Sequence, residues 1–187
     1  MSDNIITPEF RASYCRVFRP KLNDLNQKNE YSVVAIFGPK ADLSPLLKAI
    51  GAAAAEKFGE DKSKWPKNLR NPVRKNEERE KDGKLPDGYE PGGHFITLKS
   101  EQRPGLVDEN LQAIIDETKV YSGCYMRAQV RPFAYQQKGN AGVSFGLQNL
   151  QFLRDGDPLS GRQKAEDAFE PVAGAAKAGG ESSDPFA

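Results

Sequence analysis

The chain has two cysteines, one histidine and no long apolar run. Cys15 and Cys124 are too few and too isolated for a disulfide framework or a four-ligand zinc site. Each lies in a strand-like run, where a buried free thiol is expected. His94 follows Gly93 at a strand start with no other His or Cys nearby, which suits a structural role. No stretch approaches the ~18–20 apolar residues of a spanning helix, and no N-terminal segment has the pattern of a secretion signal. A soluble protein of a reducing cytoplasm, with no membrane partner, is the expectation. Asp155-Gly156-Asp157-Pro158 reads as a turn, because no further acids cluster with it as a two-metal centre requires. Gly139-Asn140-Ala141-Gly142 lacks the Lys-Ser/Thr of a phosphate-binding loop. The chain therefore reads as a non-enzyme without cofactor or metal.

Net charge is also small. The 27 basic and 26 acidic residues leave +1. That balance hides an asymmetry. In residues 164–187, Lys164 and Lys177 face Glu166, Asp167, Glu170, Glu181 and Asp184, so this stretch carries −3 and the rest +4. A basic body can hold a polyanion while an acidic tail competes for the same groove. The tail runs through a Gly/Ala tract, residues 173–180, to Asp184-Pro185-Phe186. Small residues without apolar periodicity cannot offset backbone entropy, so a disordered tether ending in a docking peptide is expected. Pro185 restricts that peptide, Phe186 supplies one apolar anchor, and Glu181 and Asp184 suit a basic pocket rim. An incidental tail is the alternative.

The 187 residues suit one domain plus appendages. We divide them into a domain at 1–159, containing a basic insertion at 59–93, and a tail at 160–187. Residues 11–19 predict a strand that Pro20 ends, and 31–37 a second. A helix follows, with Ser44 as cap, Pro45 in its first turn and Gly59 as its stop. Residues 94–100 predict a third strand and 108–118 a short helix carrying Leu111, Ile114 and Ile115. Two long strands, 123–137 and 142–154, flank the hairpin loop Lys138-Gly139-Asn140-Ala141. Pro132 belongs at a bulge or edge, and a phase change near Gln148-Asn149 marks a bulge. The class is mainly β with helices, arranged as an OB-fold-like partly open barrel with a long insertion.

The strand after Cys124 splits by parity. Met126, Ala128 and Val130 face one way. Tyr125, Arg127, Gln129, Arg131, Phe133 and Tyr135 face the other. Rings interleaved with guanidinium groups suit a single strand of nucleic acid, which offers base faces and phosphates. Tyr14, Phe95, Tyr125, Phe133 and Tyr135 are the stacking candidates. Arg11, Arg16, Arg127 and Arg131 are the phosphate candidates, and Lys99 shares the face of Phe95. The plainer alternative is a half-buried sheet face with solvated arginines. Within the insertion most charges cancel, which predicts a solvated loop. Residues 64–75 (KWPKNLRNPVRK) are basic without an acid and could fold over a bound strand.

The hairpin strand GVSFGLQNLQFLRDGDPL (142–159), with Tyr121-Ser-Gly-Cys-Tyr125 before it, resembles the C-terminal segment of a phage and prophage family of single-stranded-DNA-binding proteins. The resemblance covers about residues 11–159. It implies an OB-fold that coats single-stranded DNA in replication or recombination, in the cytoplasm of a bacterial host. It also implies that Asp184, Pro185 and Phe186 recruit replication proteins. Ala187 is a departure, since many such tails end on the Phe. A phage structural or assembly protein, using the aromatic and Arg face for subunit contacts, is the rival. Self-association on DNA and a preference for RNA over DNA stay open.

Overall fold

The computed structural model describes residues 3–159 and 165–173. Eight strands form one sheet: β1 (Ile5–Ile6), β2 (Phe10–Asn23), β3 (Lys28–Phe37), β4 (Arg74–Lys75), β5 (His94–Ser100), β6 (Gly105–Val107), β7 (Tyr125–Gln137) and β8 (Asn140–Arg154). One long helix, α1 (Ser44–Phe58), lies between β3 and β4.

Pairing closes five of the strands into a ring. β2 pairs β3, β3 pairs β5, and β7 pairs β8, all antiparallel. β5 meets β8 in parallel through Lys99 and Gly146. The seam is antiparallel, with Phe10 opposite Met126 and Arg11 opposite Tyr125. This ring is what the OB-fold-like expectation required. β1 and β6 extend β7 and β8 beyond it.

Alternation fills the interior. Phe10, Val17, Val33, Ile96, Leu98, Met126, Val130, Phe145 and Leu147 are almost completely buried in one cluster, together with Cys124. Burial pushes the pKa values of both thiols up, with Cys124 reinforcing the effect at Cys15, so both remain protonated. β3 is covered on both faces. Val33, Ala35 and Phe37 enter the main core, whereas Val34 and Ile36 pack under Tyr89 and Phe95. Helix α1 lays Ala53 and Ala54 on Val143. Pro45 occupies its first turn, and Gly59 leaves it in the left-handed region at φ 89°.

Several expectations need correction. Ser44 is the first helical residue and not a cap; its N–H donates to Asp42 Oδ1 at 3.0 Å. Pro20 does not end β2, because register shifts between Ser13 and Lys21 let the strand pass it and reach Asn23. No α-helix forms over 108–118; only a 3-10 turn, Glu117–Lys119, starts at its end. Asp108 Oδ1 accepts from the backbone N–H of Asn110 and Gln112, and Ile114 N–H bonds back to Leu106, so the segment turns as a tight hairpin after β6. The predicted bulge is present, between the pairs Val130–Leu147 and Gln129–Asn149. Lys138 and Gly139 make the β7–β8 turn, both at positive φ.

The insertion is clasped to the ring and is not a solvated loop. Arg70 bonds β8 through its own N–H and C=O, to Ala141 and Val143. β4 pairs β5. Asn76 is wholly buried, and its Nδ2 donates to Glu90 O at 2.9 Å. Trp65 packs, as Ile50, Phe58 and Leu69 do, against the cluster of Ala53, Ala54 and Val143, with its ring N–H on Gly59 O at 2.7 Å.

Candidate nucleic-acid interface

The outer faces of β2, β3, β5 and the far half of the β7–β8 ribbon border two open hollows, of about 1020 Å³ and about 620 Å³. They share the walls Asn23, Leu25, Glu30, Arg79, Thr97 and Lys99, so together they form one trough. Tyr14, Arg16 and Lys21 line one arm. Arg70, Arg74, Phe133, Tyr135 and Lys138 line the other.

Local backbone explains how the rings are presented. Tyr14 lies at φ 48°, inside an irregular part of β2, and its N–H donates to Ser122 Oγ at 3.0 Å. That left-handed residue directs the side chain outward, and Tyr14 is 61% exposed. Parity along β7 survives Pro132, whose ladder partner is Phe145, and Phe133 is 48% exposed on the open side. Tyr135 lies across Gly142 of β8, where a Cβ would stand 2.6 Å from its hydroxyl. Only glycine leaves room for the ring there.

The trough is basic. Arg16, Lys21, Arg70, Arg74, Arg79, Lys99 and Lys138 line it, against Asp24, Glu30 and Glu78. Two of these cations are paired. Lys99 Nζ lies 3.2 Å from Glu30, and Arg74 forks onto Glu78. Partial burial raises the Glu30 pKa, but hydrogen bonds from Asn26, Asn23 and Lys99 outweigh it and hold the carboxyl below its usual value. The bond from Arg74 does the same for Glu78. Among the described residues, no carboxylate pairs with Arg16, Lys21, Arg70, Arg79 or Lys138. Those five charges are available to an anionic ligand.

The trough therefore gathers Tyr14, Arg16, Lys99, Phe133 and Tyr135 from the predicted set. Phe95 is in the right place but is not open. It is 5% exposed, with Tyr89 edge-on at 5.7 Å and the Arg79 guanidinium 4.7 Å above its ring. Tyr125 and Arg11 sit at the seam instead. Arg154 lies 3.7 Å over the Tyr125 ring, and Arg11 Nη2 donates to Asp157 O at 2.7 Å. Both are engaged in closing the ring. Arg127 is held by Gln151 at 2.7 Å and shares a separate shallow surface with Ile6, Gln129 and Asn149. Arg131 borders a small hollow beside α1 with Ala53 and Lys57. The β7 face is continuous in sequence, but its two ends serve different surfaces because the long strand twists along its length. Asp184, Pro185 and Phe186 lie outside the described residues.

Sequence reasoning missed Arg70, Arg74 and Arg79 as individual lining residues. The acid-free run at 64–75 was the available signal for the first two. Nothing in the pattern singled out Arg79, which lies among acids in sequence. Among the described residues, no cluster of three or more His, Cys, Asp or Glu could hold a metal ion.

This architecture has counterparts. The single-stranded DNA-binding protein from bacteriophage Enc34 matches with a TM-score of 0.66 at 15% identity, covering 89% of this chain and 90% of that one. Its complex with single-stranded DNA gives 0.68 at 14% identity, over 84% and 89%. Gp2.5, a single-stranded DNA-binding protein encoded by bacteriophage T7, gives 0.59 at 14% identity, over 88% and 99%. At these identities the likeness is one of fold. In sequence, protein p50 of Acyrthosiphon pisum secondary endosymbiont phage 1 is 37% identical over 84 residues, which is 44% of this chain. The chain thus spans about half the length of that relative, 45%. The family described as Enterobacter phage Enc34, ssDNA-binding protein, matches residues 3–180, a span that includes the whole ring and the insertion. The chain belongs to this family of phage single-stranded-DNA-binding proteins.

Proposed function

We propose that the protein binds single-stranded DNA with little regard to sequence and lays the strand along the trough. The observation that carries this is the convergence of exposed Tyr14 and Phe133, half-buried Tyr135 and carboxylate-free cations (Arg16, Lys21, Arg70, Arg79, Lys138) on one open side of the ring. Rings stack on any base, and the cations track phosphate, so neither reads sequence. Duplex DNA hides its base faces, which sets single strands apart as the preferred ligand. Of the other residues suggested by sequence, Arg127 and Arg131 would meet DNA only where it leaves the trough. Tyr125 and Arg11 would act by holding the seam.

The family supports a role in coating single-stranded DNA during phage replication or recombination in the bacterial cytoplasm. In that role the acidic tail occupies the trough when DNA is absent. When DNA displaces it, Asp184, Pro185 and Phe186 become free to recruit replication proteins. Fluorescence anisotropy with labelled dT, duplex and RNA oligonucleotides of equal length tests the central claim. Tightest binding is expected for dT; equal affinity for duplex would refute the stacking argument. Truncation after Leu159 is expected to tighten binding. Unchanged or weaker affinity would reject competition by the tail.

A further inference from the structure

Phe95 lines the larger arm of the trough, yet it is closed to a ligand. What lies over it is Arg79. This residue ends the single-turn 3-10 helix Asn76–Arg79, is itself exposed, and lines both arms where they join. Its guanidinium stands 4.7 Å from the Phe95 centroid. Tyr89 flanks that ring edge-on, and burial raises the Tyr89 pKa while the charge of Arg79 opposes the rise. The helix beneath is fixed. Asn76 is buried, its Nδ2 donates to Glu90 O and its backbone N–H donates to Gly93 O. Among the described residues Arg79 forms no ion pair, although acids surround it in the sequence. Its charge is therefore left free.

We infer that Arg79, and not Phe95, is the central stacking platform for a DNA base. Resting on this reading of the trough as the DNA site, the inference names the residue at its middle. A guanidinium is planar and delocalised, so one face can lie on Phe95 while the other takes a base. Its edge N–H groups remain free for the adjacent phosphate. The ring below restricts the side chain before DNA arrives, which lowers the ordering cost of binding. Phe95 and Tyr89 then act as positioning residues, reaching the ligand only through Arg79.

Lysine keeps the charge but loses the plane, so Arg79→Lys separates the two contributions. Affinity for dT oligonucleotides is expected to fall about tenfold in this variant, within the stacking range. The slope of log K against log salt should stay the same, because the phosphate contact survives. On an oligonucleotide of equal length made of abasic sites, wild type and Arg79→Lys should bind within about twofold of each other, since no base is left to stack. Arg79→Ala should bind dT more weakly than Arg79→Lys, with a slope shallower by about 0.7. Arg79 is exposed, so both variants should melt as wild type does. Two results overturn the inference. Equal dT affinity for Arg79→Lys and wild type removes the planar contact. Tighter dT binding by Arg79→Ala means the cation was covering a platform that Phe95 itself provides. Wild type that binds neither oligonucleotide would refute the proposed function instead, and so is told apart from both.

Discussion

Salt should govern this protein's hold on DNA, by an amount that the trough sets. Arg16, Lys21, Arg70, Arg79 and Lys138 carry no carboxylate partner among the described residues, whereas Arg74 and Lys99 are already neutralised. Each phosphate neutralised on a single strand contributes about −0.7 to the slope of log K against log salt, so five give about −3.5. Raising salt from about 50 to about 200 mM should then weaken binding ~100-fold, or ~2.8 kcal/mol. Anisotropy of a fluorescein-labelled dT oligomer, titrated at four or more salt concentrations, measures the slope directly. The double variant Arg16→Gln/Lys21→Gln should reduce its magnitude by about 1.4. A wild-type slope shallower than about −1.5, or an unchanged slope in the double variant, would refute the assignment of these side chains to phosphate.

Three further outcomes follow from local geometry. Phe133→Ala removes an exposed ring and little core, so it should leave melting unchanged and cost about 1–3 kcal/mol of dT affinity. A Cβ on Gly93 would stand 2.4 Å from Phe37 O and 2.5 Å from Asn76 Nδ2, so Gly93→Ala should destabilise by about 1–3 kcal/mol in urea denaturation and free the insertion for proteolysis. The Tyr121 hydroxyl donates to Asp155 Oδ1 at 2.7 Å, and burial together with that carboxylate pushes its pKa from 10.0 up to about 12. The folded state keeps this proton longer than the unfolded chain, so its stabilising effect is present below pH 10 and lost as pH rises towards 12. Tyr121→Phe should flatten that part of the alkaline stability profile; a variant whose alkaline loss matches wild type would sink the argument.

The ring was legible in sequence where strands were rich in β-branched and aromatic residues. β3, β5 and the β7–β8 hairpin declared themselves in this way, the hairpin also through the glycine of its loop, although the turn proved to be Lys138-Gly139 with Asn140 already in β8. α1 did so through Pro45, its alanines and Gly59. The segment at 108–118 misled because Leu111, Ile114 and Ile115 fit a helical spacing. A single Asp108 carboxylate, bonding two backbone N–H groups, gives the chain a turn that competes with the helix. Pro20 misled for a different reason: an irregular strand edge does not need the missing N–H. At the trough, residue types were readable but their neighbours were not. The Arg79–Phe95 contact joins residues from different elements, and no local pattern encodes it. The paired arginines at Tyr125 meet only because β2 and β8 flank the same strand.

The seam between Phe10 and Met126 has a consequence for biosynthesis. A ribosome adding ~5–20 residues per second leaves Phe10 waiting roughly 6–23 s for its ladder partner to be made. Until then the nascent chain carries an unsatisfied edge and half a hydrophobic interior, a condition that invites chaperone capture. The far arm of the trough is built from that same late hairpin, so the surface that gathers Phe133, Tyr135 and Lys138 is finished only when β8 has been made.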